Sequence, residues 1–218
     1  MRYAVYFCPM AGSELDVFGQ EWLSRMAVPG IEPARMQVLL ADVRRYGWHA
    51  TLSAPFALAD GASYDDLHER AVKIAQQSNA FDLPLTLDRL AGFLALRPAD
   101  DETAINALAE RCVRELNPLR APLSETTWQR RASGLDDVER TLFQQFGYPY
   151  VLERYRFHIT LSAPAMQQEE QALCTWLSSR VAKLPPARIE ALTICRESAP
   201  GHDFEQVDRI SLNKGRVA

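Results

Sequence analysis

No long apolar run occurs in this chain. The longest fall well short of the roughly 18 residues that a membrane span needs, so no membrane association is expected. Paired cysteines are also missing. Cys8, Cys112, Cys174 and Cys195 are scattered, with no Cys-x-x-Cys among them, which argues against a disulfide framework or a zinc site. Cys112 and Cys174 sit beside apolar residues in helical patterns and suit buried free thiols. Nor is there an excess of positive charge. Twenty-four Lys and Arg against 28 Asp and Glu leave a net charge of −4 and a pI of about 5.6. A protein that grips long nucleic acid by its phosphates needs a basic stripe, whereas a small phosphorylated substrate in a locally basic pocket fits this balance. The start of the chain, Met1–Pro9, carries one basic residue and a brief β-like run. It is too short for a signal peptide and reads as a first strand, so a cytoplasmic location is expected by default.

Histidine is scarce too, with only four in 218 residues, and two of them lie in a repeat. His49-Ala50-Thr51-Leu52-Ser53-Ala54-Pro55 returns as His158-Ile159-Thr160-Leu161-Ser162-Ala163-Pro164, with six of seven positions identical and a spacing of 109 residues. The match extends upstream: Arg45-Tyr46 and Arg154-Tyr155 precede the two histidines at equal distance, and an aromatic, Trp48 or Phe157, stands directly before each. Such internal similarity is the signature of a duplicated unit. Each copy reads as a β-strand, alternating, carrying a β-branched Thr, and stopped by Pro. Alternation puts Trp48, Ala50, Leu52 and Ala54 on one face and His49, Thr51 and Ser53 on the other. Phe157, Ile159, Leu161 and Ala163 oppose His158, Thr160 and Ser162 in the same way. Core packing requires the apolar positions to repeat, but it gives no reason to repeat the outward His and Thr. A single His-x-Thr is weak evidence for a site; two with shared flanks point to chemistry.

The remaining segments alternate between helical and strand periodicities. Residues 2–8 read as a strand, and Ser13 caps a helix to about residue 27. Residues 29–44 are ambiguous, with a short helix near 34–40. Ser63 caps a helix to about Gln77, and His68 within it sits among charged neighbours on the solvated side. Leu85–Leu90 and Phe93–Leu96 form a hairpin or bulged strand, and a helix from Asp100 or Asp101 runs to Leu116 before Asn117-Pro118. Residues 117–133, Pro-rich and irregular, form the link between lobes. Ser133 caps a helix to about Phe146, a helix spans about Gln168–Lys183, and two strands over Arg188–Cys195 and Gln206–Leu212 flank a turn holding His202. The pattern is α+β with an internal duplication: one bilobal domain over 1–218, with lobes near 1–116 and 134–218 and strands free to cross between them.

Two His-x-Thr-x motifs with apolar x positions resemble the two-histidine phosphoesterase superfamily, and the resemblance spans nearly the whole chain. Further stretches resemble the branch of that superfamily encoded beside bacterial phosphonate-degradation genes. These are Arg45-Tyr46-Gly47-Trp48-His49 with Pro55-Phe56, Arg120-Ala121-Pro122-Leu123, Gly147-Tyr148-Pro149-Tyr150-Val151 and Arg156-Phe157-His158. The resemblance implies two antiparallel sheets facing a central groove, with helices outside, and metal-independent hydrolysis of a small cyclic phosphodiester. For this branch the implied substrate is a phosphorylated ribose 1,2-cyclic phosphate.

The residue types suit that chemistry. An imidazole titrates near pH 6.5, so one histidine can take a proton from water while the other donates one to the leaving oxygen. Thr51 and Thr160 would hold the non-bridging oxygens as charge develops. Among the arginines, Arg156 shares the face of His158 and is the first choice for a second phosphate. Arg45 has a similar claim, and Arg130 and Arg131 are pocket-rim candidates because a guanidinium clamps phosphate well. Ser53 and Ser162 complete the candidate set. Two histidines without a carboxylate cluster make a poor hard-metal site, so no metal, cofactor or obligate partner is expected. Either Tyr3 or Tyr6 must face the groove. Two other readings stand beside this one: an RNA-end enzyme acting on 2′,3′-cyclic phosphates or joining RNA in the 2′–5′ sense, and a non-catalytic module that binds a phosphorylated ligand. A metal-dependent hydrolase ranks below both.

Overall fold

In the computed structural model, which describes residues 1–214, the chain folds into seven α-helices and two antiparallel sheets. The larger sheet has seven strands. Its middle is built from β1 (Arg2–Phe7), β2 (Ala50–Phe56) and β6 (Ile159–Thr160); its flanks are two hairpins, β4 (Leu85–Leu90) with β5 (Phe93–Pro98) and β8 (Ala191–Glu197) with β9 (Phe204–Ser211). The strand order is β4-β5-β6-β2-β1-β8-β9. The hairpin from the first half of the chain therefore borders the second motif strand, and the hairpin from the second half borders β1. A small sheet pairs β3 (Phe81–Leu83) with β7 (Ala187–Ile189).

The odd residues of β1, Tyr3, Val5 and Phe7, point into the main core. Trp48, Ala50 and Leu52 from the first motif and Phe157, Ile159 and Leu161 from the second join them there. Helices supply the other side of that core: Phe18 and Trp22 from α1 (Glu14–Leu23), Met36, Leu39 and Leu40 from α2 (Pro33–Tyr46), Leu67 and Ile74 from α3 (Tyr64–Gln76), Ile105 and Leu108 from α4 (Thr103–Leu116), and Leu173 and Leu177 from α7 (Gln167–Val181). Burying a side chain of this size contributes about 1.5–3 kcal/mol, so the apolar face fixes the register of both motif strands. The hydroxyl-bearing face is left for other work. No described helix is long and apolar enough to cross a membrane.

Several boundaries differ from the sequence expectations, each for a local reason. Helix α1 stops at Leu23, where the N–H of Ser24 bonds back to Gln20. Helix α2 is a full 14 residues because Pro33 occupies its first turn, where a missing N–H costs nothing. The segment expected to be an irregular link contains α5 (Glu125–Ala132), capped by Ser124. Ser133 ends α5 instead of starting the next helix; α6 (Asp137–Phe146) is capped by Asp136, whose side chain and that of Glu139 form a reciprocal capping box. Strand β2 runs through Pro55. Its register against β1 shifts there, with Tyr3 opposite Phe56 and Val5 opposite Ser53, and in such a bulge the missing N–H removes no ladder bond. The expected strand over 188–195 divides at Glu190, its first part joining the small sheet. The second motif strand is cut to two residues. Beyond Thr160, the carbonyl of Leu161 accepts the indole N–H of Trp22 at 2.8 Å, and the N–H of Ala163 bonds to Leu39 of α2 at 2.7 Å.

Candidate functional site

The two motif strands are hydrogen-bonded neighbours, with Ala50 paired to Ile159 in antiparallel register. Counting one residue outward on each side sets His49 across from Thr160 and Thr51 across from His158. The two His–Thr pairs thus lie on one face, related by a local two-fold through the Ala50–Ile159 pair. Proximity is also electrostatic: the charge of His158 is among the influences on His49.

Each imidazole is wired in the same way. Nδ1 of His49 lies 2.9 Å from the carbonyl of Gly47, and Nδ1 of His158 lies 2.8 Å from the carbonyl of Arg156. A carbonyl can only accept, so Nδ1 carries the hydrogen in both rings and Nε2 is the nitrogen free to exchange protons. The local sequence makes this geometry. Gly47 ends α2 at φ 74°, a conformation that glycine adopts without strain, and this turns its carbonyl toward His49. Trp48 is clamped next door: its indole N–H donates to Leu15 at 3.0 Å, and its ring lies so close to Gly19 that a Cβ there would come within 2.4 Å. Thr51 is held from the other half of the chain, its carbonyl accepting the Tyr155 hydroxyl at 2.9 Å.

A cavity of about 400 Å³ opens beside these residues and reaches Thr51 and His158. One wall is the β4–β5 turn with Leu90, Ala91 and Phe93; the other is the Tyr148–Arg156 segment. Among the described residues, the two non-glycine positions with positive φ are Ala91 at 48° and Leu152 at 50°. Ala91 lines the first wall and Leu152 stands within the second, so strained backbone marks both. Arg156 is exposed at this cavity and bonds through Nη1 to the carbonyls of Glu153 and Tyr155. Arg154, also lining it, is held by Asp136 at 2.7 Å.

Burial lowers the proton affinity of both histidines. His49 is pushed down to about 4 by desolvation, against the opposing pull of the Gly47 carbonyl. That shift corresponds to about 3 kcal/mol. The face of Tyr6, stacked on His49 with ring centroids 4.0 Å apart, attracts a cation by about 0.5–2 kcal/mol, so desolvation wins. His158 is lowered by burial, with the Arg156 carbonyl opposing and the charge of Arg97 adding to the shift.

The structure therefore brings His49, Thr51, His158 and Thr160 together and sets Arg156 at the adjoining cavity. Arg45 lies elsewhere, over the ring of Tyr46 at 4.2 Å and 3.8 Å from the buried Glu197. Arg130 and Arg131 are on the exposed helix α5, Arg131 over the ring of Phe143 at 5.8 Å. Ser53 and Ser162 are buried at 7% and 1% exposure; neither lines this cavity, and the Ser162 hydroxyl has no partner among the described residues. Tyr6 shares the histidine face, whereas Tyr3 points into the main core. Sequence reasoning missed Phe93, with its ring 5.6 Å from His158, and Arg97, which the β5–β6 register sets across from His158. Nothing local in the sequence signals either, because β5 and β6 are neighbours only through the fold. His68 and His202 stand apart, the latter with Nδ1 3.0 Å from the Ser198 hydroxyl. Among the described residues, no three His, Cys, Asp or Glu converge as a metal site.

The chain is 38% identical over 232 residues to a protein named "Ribose 1,5-bisphosphate phosphokinase PhnN" from Janthinobacterium sp. (strain Marseille), with 97% of this chain and 51% of that protein covered. A protein of the same name from Laribacter hongkongensis (strain HLHK9) is 36% identical, with 94% and 50% covered. The chain spans about half the length of these curated relatives. In fold it is similar to E. coli LigT, crystallised with 3′-AMP, at a TM-score of 0.50 and 14% identity over 97% of each chain. This likeness agrees with the two-histidine phosphoesterase resemblance at the level of fold. Residues 51–205 match the family model described as "Protein of unknown function (DUF1045)", and the chain belongs to that family.

Proposed function

We propose that the protein is a metal-independent phosphodiesterase that hydrolyses a small cyclic phosphodiester by two-histidine acid–base catalysis. The observation that carries this reading is the matched pair of histidines, each with Nδ1 bound to the carbonyl two residues before it. The strand register sets each histidine across from a threonine of the other strand. A phosphorus between them meets a base on one side and an acid on the other. Water adds to phosphorus as one Nε2 takes its proton; the ring P–O bond breaks as the other Nε2 protonates the leaving oxygen. Thr51 and Thr160 donate to the non-bridging oxygens, where charge accumulates. The product is a phosphomonoester.

The substrate that fits best is a 5-phosphorylated ribose 1,2-cyclic phosphate, the one expected of a phosphonate-associated branch. Arg156 supplies the cation for the second phosphate. Opening the ring at O2 yields ribose 1,5-bisphosphate, the compound in the name of the longer relatives. A second reading is favoured by the cavity itself. Tyr148, Tyr150 and Phe93 line it, and aromatic faces stack on nucleobases, so a 2′,3′-cyclic nucleotide or RNA end is the alternative.

Phosphorus NMR of the protein with each cyclic phosphate, in the presence of chelator, separates them. Preferred turnover of the cyclic ribose phosphate supports the first reading, and preferred turnover of cyclic nucleotides the second. Binding of these compounds without turnover by folded protein would overturn the enzymatic reading and leave a phosphorylated-ligand module.

A further inference from the structure

The two histidines share their wiring but not their surroundings. His158 meets Phe93 and opens on the cavity. His49 is enclosed by rings. Tyr6 lies stacked on it at 4.0 Å and Tyr46 leans against it at 6.0 Å. Phe204 closes behind both, 5.8 Å from Tyr6 and 5.1 Å from Tyr46. These rings come from β1, the last residue of α2 and the first residue of β9, parts of the chain that meet only through the strand order. Tyr6 is 1% exposed and belongs to a small second core with Ala4, Cys8 and Cys195, on the side of the sheet opposite the main one. This apolar layer lies on the histidine face of the sheet, and its stacked contact with a histidine is Tyr6 on His49.

Resting on the function proposed above, we infer that Tyr6 is a positioning residue, whose ring, backed by Tyr46 and Phe204, holds the His49 imidazole in its Nδ1–H form and shields its face from water, so that His49 takes the proton of the attacking water and His158 gives one to the leaving oxygen. The water O–H bond breaks toward Nε2 of His49 as the new P–O bond forms. The departing oxygen takes its proton from Nε2 of His158, and the two histidines end with their protonation states exchanged. The enclosure supplies the asymmetry that the near-identical motifs lack.

The groups facing this site are few. His158 comes from β6, Tyr46 from α2, and Cys8 and Cys195 flank Tyr6 from β1 and β8. Behind Tyr46 lies an ion cluster in which Glu197 bonds Arg2 at 2.6 Å and sits 3.8 Å from Arg45. The Tyr6 hydroxyl is raised by burial, then by Cys195, Tyr46 and Cys8, and stays protonated while the histidines titrate.

The test is imidazole nitrogen-15 NMR across pH. It needs no turnover, and four histidines are assignable by single His→Gln substitutions. In the wild type, His49 remains the neutral Nδ1–H tautomer down to about pH 4, and His158 takes up its proton at a higher pH. In Tyr6→Leu, His49 titrates about one unit or more higher and its tautomers mix. For a cyclic phosphodiester that the wild type turns over, kcat falls about ten-fold with KM nearly unchanged. Tyr6→Phe, which keeps the ring, recovers most of both losses. An unaltered His49 titration in Tyr6→Leu overturns the inference, as does Tyr6→Phe behaving like Tyr6→Leu. If Tyr6→Leu does not fold, Phe204→Leu at the half-buried edge moves His49 in the same direction by less, and no movement overturns the inference. A wild type without turnover whose His49 still responds to Tyr6→Leu would sink the proposed activity while supporting the positioning role.

Discussion

The hydroxyl of Tyr155 donates to the carbonyl of Thr51 across 104 residues of sequence, at 2.9 Å. Tyr155 precedes the second histidine and Thr51 follows the first, so one partly buried bond ties the flank of one motif to the heart of the other. Tyr155→Phe leaves that carbonyl short of its partner, at a cost of about 1–2 kcal/mol. For a chain of this length that lowers Tm by about 3–6 °C, read by calorimetry. The accompanying fall in turnover tracks the displaced Thr51.

His49→Ala and His158→Ala each reduce hydrolysis of a cyclic phosphodiester by about 10²–10⁴. Thr51→Val and Thr160→Val each cost about 10–10³ in kcat, since each removes a donor to developing charge. Phosphorus NMR of product formation measures all four, with circular dichroism to establish that they fold.

Arg156→Ala raises KM for a substrate with a second phosphate by about ten-fold or more, the equivalent of a lost hydrogen bond to a charged group, and leaves kcat close to its original value. Arg130→Ala, on the exposed face of α5, leaves both unchanged. Steady-state kinetics on substrates with and without the second phosphate decides the matter: equal effects on both would rule out a phosphate contact.

Acid weakens the fold through His49. Its folded proton affinity lies at about 4, below the ordinary value of 6.5, so the unfolded chain binds the proton first as pH drops. The stability from a neutral His49 is fully present above pH 6.5 and is lost progressively as pH falls through about 4, a total on the order of 3 kcal/mol. His49→Gln flattens this part of the profile. Urea midpoints at pH 7, 5.5 and 4 provide the measurement, and a parallel pH response in wild type and His49→Gln would refute the assignment.

Gly19→Ala tests the clamp on Trp48. Alanine favours a helix over glycine by about 1 kcal/mol, but a Cβ 2.4 Å from an indole already tied to Leu15 costs about 1–3 kcal/mol or more in overpacking. The net is a loss of up to about 2 kcal/mol, or up to about 4–8 °C in Tm; a more stable variant would show that the indole yields easily.

Much of this architecture is legible in the sequence because its signals are local. Ser13 and Ser63 stand before periodic apolar runs and cap α1 and α3. The alternation of each motif separates Leu52 from Thr51, and Leu161 from Thr160, correctly between core and opposite face. What escapes is set at a distance. Helix α5 buries no residue, so it leaves no apolar period to read. Strand β6 is short because Trp22, 139 residues away from Leu161, takes its carbonyl. Repeated residues also diverge in what they hold. Tyr155 bonds Thr51, whereas its counterpart Tyr46 stacks with Phe204 at 5.1 Å. The aromatic enclosure of His49 and the placement of Arg97 beside His158 arise from strand order, which no short stretch encodes.

That strand order has a consequence for how the molecule can be taken apart. Each half of the chain lends its hairpin to the strand of the other, like two hands clasped with fingers interlaced. A cut anywhere between residues 98 and 159 leaves two fragments, each with an unclaimed sheet edge. Neither fragment carries both histidine–threonine pairs, and the paired face can return only when the two are refolded together. The duplication visible in the sequence is therefore an ancestry and not a division of labour, and any fusion that keeps this sheet whole has to join it at the chain ends or at a surface loop.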